Sequence, residues 1–76
     1  MEKNFLIIGL GRFGISTAKM LFRLGHDVLA VDKRADRVNN IKDDVTHAIQ
    51  ADTTDEHVVD QLGVSNFDCV VICIGD

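Results

Sequence analysis

Residues 4–14 read NFLIIGLGRFG, a short apolar run followed by three glycines in the spacing G-x-G-x-x-G. An apolar run that ends in glycine reads as a buried strand. A helical pattern follows from about Phe13 to Leu24, with Gly14, Ala18 and Leu21 on one face and Thr17 and Leu24 beside it; Gly25 stops it. A glycine turn held between a strand and a helix is far more restrictive than the same spacing elsewhere. Gly9 permits the tight turn, Gly11 leaves room for a phosphate-bearing ligand against the backbone, and Gly14 lets the helix lie close to the strands. The amides and dipole of the first helical turn then face the phosphates.

The rhythm continues to the end of the chain. DVLAVD at 27–32 is a second strand, and Ala35, Val38 and Ile41 give a short helix. THAIQAD supplies a third strand near 46–51. Thr53 followed by Glu56 fits a capping box, with Val58, Val59 and Leu62 as the apolar side before Gly63. DCVVICI at 68–74 is a fourth strand. The order βαβαβαβ, with near-continuous apolar strands, predicts an α/β fold: a parallel Rossmann-type sheet covered on both faces, with strand order 3-2-1-4. Residues 1–76 are read as a partial Rossmann nucleotide-binding domain. The chain stops at GD directly after strand four, whereas a doubly wound domain has about six strands, so the expectation is the truncated N-terminal part of a longer domain. Strand four is then left with an open apolar edge.

Composition narrows the function. Eight basic residues against twelve acidic ones give a net charge of −4, which argues against nucleic acid as a partner. The longest uncharged apolar runs, FLIIGLG and CVVICIG, are far short of the ~20 residues of a membrane helix. No signal-peptide pattern opens the chain, and the reading is intracellular and soluble. Cys69 and Cys73 fall on one strand face, roughly 13 Å apart at ~3.3 Å per residue, too far for a disulfide; both read as small buried hydrophobes. His26, His47 and His57 match no metal spacing, and no nucleophile–base arrangement is supported, so neither a metal nor a catalytic residue is expected.

Asp32 closes strand two, twenty-one residues after Gly11. A carboxylate there accepts hydrogen bonds from the two hydroxyls of an adenosine ribose and repels a 2′-phosphate, although Lys33 and Arg34 beside it soften that discrimination. The glycine loop with Asp32 points to an adenine nucleotide without choosing between mono- and dinucleotide. Arg12 sits between the second and third glycines, with Phe13 next to it. A cation at a helix N-terminus opposes the dipole, and a bound phosphate resolves that conflict through charge-assisted hydrogen bonds. Asp52 and Thr53 end the third strand and Gly75 the fourth. Those carboxyl ends are where ligands of such sheets bind, so Asp52 and Thr53 either meet the adenine end or only cap the next helix.

NFLIIGLGRFGISTAKMLFRLGHDVLAVD together with HAIQADTTDEHVVDQLGVSNFDCVVICIG resembles the nucleotide-binding N-terminal domain of the regulators of potassium conductance (RCK, or TrkA-N). It is most similar to the cytoplasmic regulatory subunits of bacterial Ktr and Trk potassium uptake systems. The resemblance implies a Rossmann domain that binds ATP, ADP or NAD(H) and assembles as a homo-oligomer, in Ktr an octameric ring of dimers. That ring docks under a membrane-embedded potassium channel subunit, and its change of shape gates potassium flow. It also implies the family's phosphate loop at Gly9, Gly11 and Gly14, a phosphate-approaching arginine at Arg12, a ribose acid at Asp32 and adenosine-side residues at Asp52 and Thr53. Ile15 and Phe22, seven residues apart, are either subunit contacts or local packing.

Three classes therefore stand. A gating subunit binds nucleotide without turnover, and the nucleotide-binding half of an NAD-dependent dehydrogenase fits the glycine loop and Asp32 equally well. A purely structural α/β module leaves Gly11, Arg12 and Asp32 without a purpose.

Overall fold

The structure, a computed structural model, describes residues 2–73. Seven main elements follow in the expected alternation: β1 (Asn4–Ile8), α1 (Arg12–Arg23), β2 (Asp27–Asp32), α2 (Ala35–Ile41), β3 (His47–Gln50), α3 (Glu56–Leu62) and β4 (Cys69–Ile72), with a 3-10 turn at Val64–Asn66 before the last strand. All three strand pairs are parallel, and the order is β3-β2-β1-β4. The sequence reading of the topology is met in full. Ile74 of the expected fourth strand, and Gly75 and Asp76 after it, lie outside the described residues.

The register builds the core row by row. Ile7 stands opposite Ala30 on one side and Val71 on the other, and Ala30 stands opposite Ala48. Side chains two apart share a sheet face, so Ile7, Val28 and Ala30 look toward the same layer. There they meet Leu10, Ala18, Val38, Ile41 and Val45 in one buried cluster under α1 and α2. Fully burying a Leu, Ile or Val side chain is worth about 1.5–3 kcal/mol. On the opposite face Leu6 and Val31 are also fully buried. The right-handed crossover from β3 to β4 carries α3 to that side, where Val58, Val59 and Leu62 are half-buried.

Three local expectations give way. Leu24 is 66% exposed, because the helix has ended by that position. The Gly25 amide already bonds to the Phe22 carbonyl at 3.0 Å, and Gly25 turns the chain away at φ 93°. Cys69 is exposed, not buried: it lies on the edge strand, whereas α1 packs over β1 and β2. The Thr53–Glu56 capping box does not form. Asp55 is the N-cap of α3, its carboxylate accepting the His57 amide at 2.9 Å, and an aspartate outranks threonine in that role. Ile15 packs against the core cluster, while Phe22 is exposed.

Candidate functional site

The strand order reverses at β1, whose neighbours β2 and β4 lie on either side of it. Beyond the carboxyl ends of the strands at such a point a crevice opens. Here it is a cavity of about 440 Å³. Ile8 and Gly9 line it from the end of β1, residues 31–34 and Arg37 from β2 and α2, residues 51–54 from the loop after β3, and Cys73 from the end of β4.

Steric exclusion shapes the glycine loop. Gly9 has φ 95°, and a Cβ there would collide with the Cys73 carbonyl. Its amide bonds to the Val31 carbonyl at 2.9 Å, and the Cys73 amide bonds to the Ile8 carbonyl at 2.7 Å. Gly14 is buried, and a Cβ on it would strike the Gly9 carbonyl, so the first turn of α1 rests directly on the loop. Gly11 is the N-cap of α1 and offers no side-chain cap, and the first turn carries no acid. The positive end of this twelve-residue helix is thus not offset by a carboxylate of its own. Between the glycines Leu10 turns inward and is buried in the core.

Asp32 is the pivot of the site. It is only 8% exposed, so it is not a solvated turn residue. Its Oδ2 accepts the Leu10 amide of the glycine loop at 2.8 Å, and its Oδ1 accepts the Arg34 amide at 2.8 Å. The Arg37 guanidinium lies 3.7 Å from Oδ2. Burial pushes the carboxyl up, but the amides of Leu10 and Arg34 and the charges of Arg37 and Arg34 outweigh it and hold Asp32 below the ordinary carboxylate range.

The remaining candidates fall into two groups. Lys33, Arg34, Asp52 and Thr53 line the cavity with Gly9 and Asp32. The Arg34 guanidinium grips Asp36 in a two-pronged contact, at 3.1 and 2.9 Å. Asp52 folds onto Thr54, accepting its amide at 3.0 Å and its hydroxyl at 2.6 Å, and those two bonds, hydroxyl first, pull its carboxyl down. Gly11, Arg12, Phe13 and Gly14 form the start of α1 beside the cavity, outside its lining. Arg12 and Phe13 are exposed. Gly75 lies outside the described residues.

Sequence reasoning missed Arg37, Thr54 and Cys73. Arg37 had a signal, being five residues past Asp32 on the first turn of a helix that springs from the same strand end. The histidines stay apart from the cleft. His26 accepts the Lys3 amide on Nδ1 at 3.1 Å and meets Phe5 edge to face at 5.1 Å, at the opposite end of the sheet. Among the described residues no group of three or more His, Cys, Asp or Glu side chains could hold a metal ion, and no helix is long and apolar enough to cross a membrane.

Comparison with known proteins fits this geometry. The chain is 48% identical over 74 residues to Ktr system potassium uptake protein A of Bacillus subtilis, covering 97% of the chain and 33% of that protein. It therefore spans about a third of that relative's length. A shorter match, 50% over 40 residues, joins 53% of the chain to 9% of UDP-N-acetyl-D-mannosamine dehydrogenase of Methanococcus maripaludis. Among solved structures, the NAD(P)-binding domain of an exopolyphosphatase-related protein from Archaeoglobus fulgidus superposes with a TM-score of 0.86 at 30% identity, over 97% of this chain and 56% of that one. The TrkA-N domain model matches residues 5–76, and the chain belongs to the TrkA-N domain family.

Proposed function

We propose that the cleft binds an adenine nucleotide, ATP/ADP or NAD(H), and that the domain acts as the sensing part of a potassium-uptake regulatory subunit. The observation that carries this reading is the bond from the Leu10 amide to Asp32, which ties the glycine loop to the acid at the mouth of one cavity. Asp32 accepts the ribose hydroxyls through its remaining lone pairs. Gly9, Gly11 and Gly14 let the phosphates approach the start of α1, where Arg12 and the amide-bearing turn with Phe13 meet them. Asp52 and Thr53 border the adenosine and Lys33 and Arg34 the ribose edge; Gly75, outside the described residues, is counted with the cofactor-binding residues because it follows the fourth strand in sequence.

No chemical step is needed. A nucleotide that binds two assembly geometries unequally shifts their populations by its difference in affinity, and that difference is the free energy available for gating. In this reading the full-length protein is a homo-oligomer, a dimer or an octameric ring, docked on a membrane-embedded channel subunit from the cytoplasmic side, and the match to a potassium uptake protein supports the link to potassium uptake.

Calorimetric titration of the full-length protein with ATP, ADP, NAD+ and NADH tests this. Saturable binding without hydrolysis or hydride transfer is expected. Sustained hydrolysis or hydride transfer overturns it, and hydride transfer favours a second reading, the nucleotide half of a dehydrogenase, which the 40-residue match supports.

A further inference from the structure

An acid at the end of the second strand ordinarily excludes a 2′-phosphorylated ribose by like-charge repulsion. At hydrogen-bonding distance in a partly desolvated site that repulsion amounts to roughly a hundredfold or more in affinity. The exclusion presumes a carboxylate that faces the ligand with its charge unopposed. Asp32 does not. Both its oxygens are engaged by backbone amides, and the Arg37 guanidinium stands at 3.7 Å. Lys33 and Arg34 line the same cavity, so among the described residues three cations and two acids, Asp32 and Asp52, line it.

We propose that Lys33, Arg34 and Arg37 accept a phosphate on the adenosine ribose, so that the cleft takes dinucleotides with and without a 2′-phosphate at comparable affinity. Arg37 is the residue on which this depends. Its planar guanidinium carries five donors, and the contact with Asp32 occupies one side of the fork. The side chain is about one-third exposed at the cavity wall, close enough to Asp32 to offset its charge and open enough to reach a ligand oxygen. Arg34 is available too. Its partner Asp36 is exposed, both side chains of the pair are more than half accessible, and such surface pairs hold weakly. A phosphate dianion is a stronger partner for a guanidinium than a solvated carboxylate.

This inference rests on the nucleotide reading above, and one experiment separates the two. NAD+, NADP+ and ADP are titrated calorimetrically into the full-length protein, its Arg37→Gln variant and its Lys33→Gln variant, with circular dichroism of each as a check on folding. The expected result is NAD+ and NADP+ dissociation constants within about tenfold of each other in the unaltered protein. Arg37→Gln then weakens NADP+ by about tenfold more than NAD+, and Lys33→Gln, whose exposed side chain leaves the Asp32 contacts in place, shifts the ratio in the same direction. The inference is overturned if NADP+ binds more than about tenfold weaker than NAD+ to the unaltered protein, or if both variants weaken the two nucleotides equally, which is the signature of a residue acting only through Asp32. Failure of all three nucleotides to bind the folded protein removes the nucleotide reading itself.

Discussion

Replacing Asp32 by asparagine isolates what the acid does for the fold. Each carboxylate oxygen accepts one backbone amide, from Leu10 and from Arg34. Asparagine has the same shape but one acceptor and one donor, so whichever way it turns, one amide meets an NH2 group. Losing a hydrogen bond to a charged group costs about 1.5–3 kcal/mol, and a buried amide left unsatisfied about 1–3 kcal/mol; the two overlap, giving an expected loss of about 2–4 kcal/mol. Urea unfolding at pH 7 measures it, with an unchanged slope as the sign that only stability moved. The pH dependence supplies the sign. Asp32 has a folded pKa below its unfolded value, so its contribution is fully present above the unfolded pKa of about 4 and is lost as the pH falls through the lower, folded value. The gap between the two proteins therefore narrows on acidification below about pH 4. A variant within about 0.5 kcal/mol of the unaltered protein at pH 7 would falsify the claim that these two bonds pin the glycine loop.

Three further substitutions probe separate parts of the argument. Gly14→Ala drives a methyl group into the Gly9 carbonyl; an expected loss of about 1–3 kcal/mol, with nucleotide affinity falling alongside, is checked by thermal unfolding and calorimetry, and intact affinity would contradict the loop's role. Asp55→Ala removes the cap of α3 and costs about 0.5–2 kcal/mol, read as faster amide exchange in the first turn of that helix, whereas the same change at Thr53 leaves that exchange alone. Ile41→Ala hollows the core under α2 for about 2–5 kcal/mol in urea unfolding, and the ratio of NAD+ to NADP+ affinity stays as it was.

Features governed by local pattern were legible in the sequence. The second strand and second helix fall where they were read, because turn residues and abrupt changes of hydrophobic period bound them. The strand order followed from the doubly wound pattern that the glycine loop signals, and right-handed crossovers then fix the side of the sheet each helix covers. The errors arose where the outcome depends on competition or on distance in space. Asp52, Thr53 and Asp55 all offer capping oxygens within four residues. Asp52 turned to Thr54 and Asp55 took the helix, a choice between near-equal options that spacing does not rank. Cys69 reads as buried in a continuous apolar strand, but it lies on the edge strand, away from the β1 and β2 that α1 covers. At the site the glycines and Asp32 were visible as a motif, whereas Arg37 carried only a positional signal, five residues past Asp32. Its partnership with Asp32 depends on how α2 leaves the strand, which no periodicity encodes.

The central position of β1 also has a bearing on how the chain is made. It leaves the ribosome before the other three described strands, yet one of its two edges waits for β4, whose flanking Asp68 meets Asn4 across 64 intervening steps of sequence. At roughly 5–20 residues per second, translation leaves that edge bare for about 3–13 s. During that interval Phe5 to Ile8 can pair with β2 alone, and the nascent chain carries an open apolar ribbon of the kind that chaperones recognise and neighbouring chains capture.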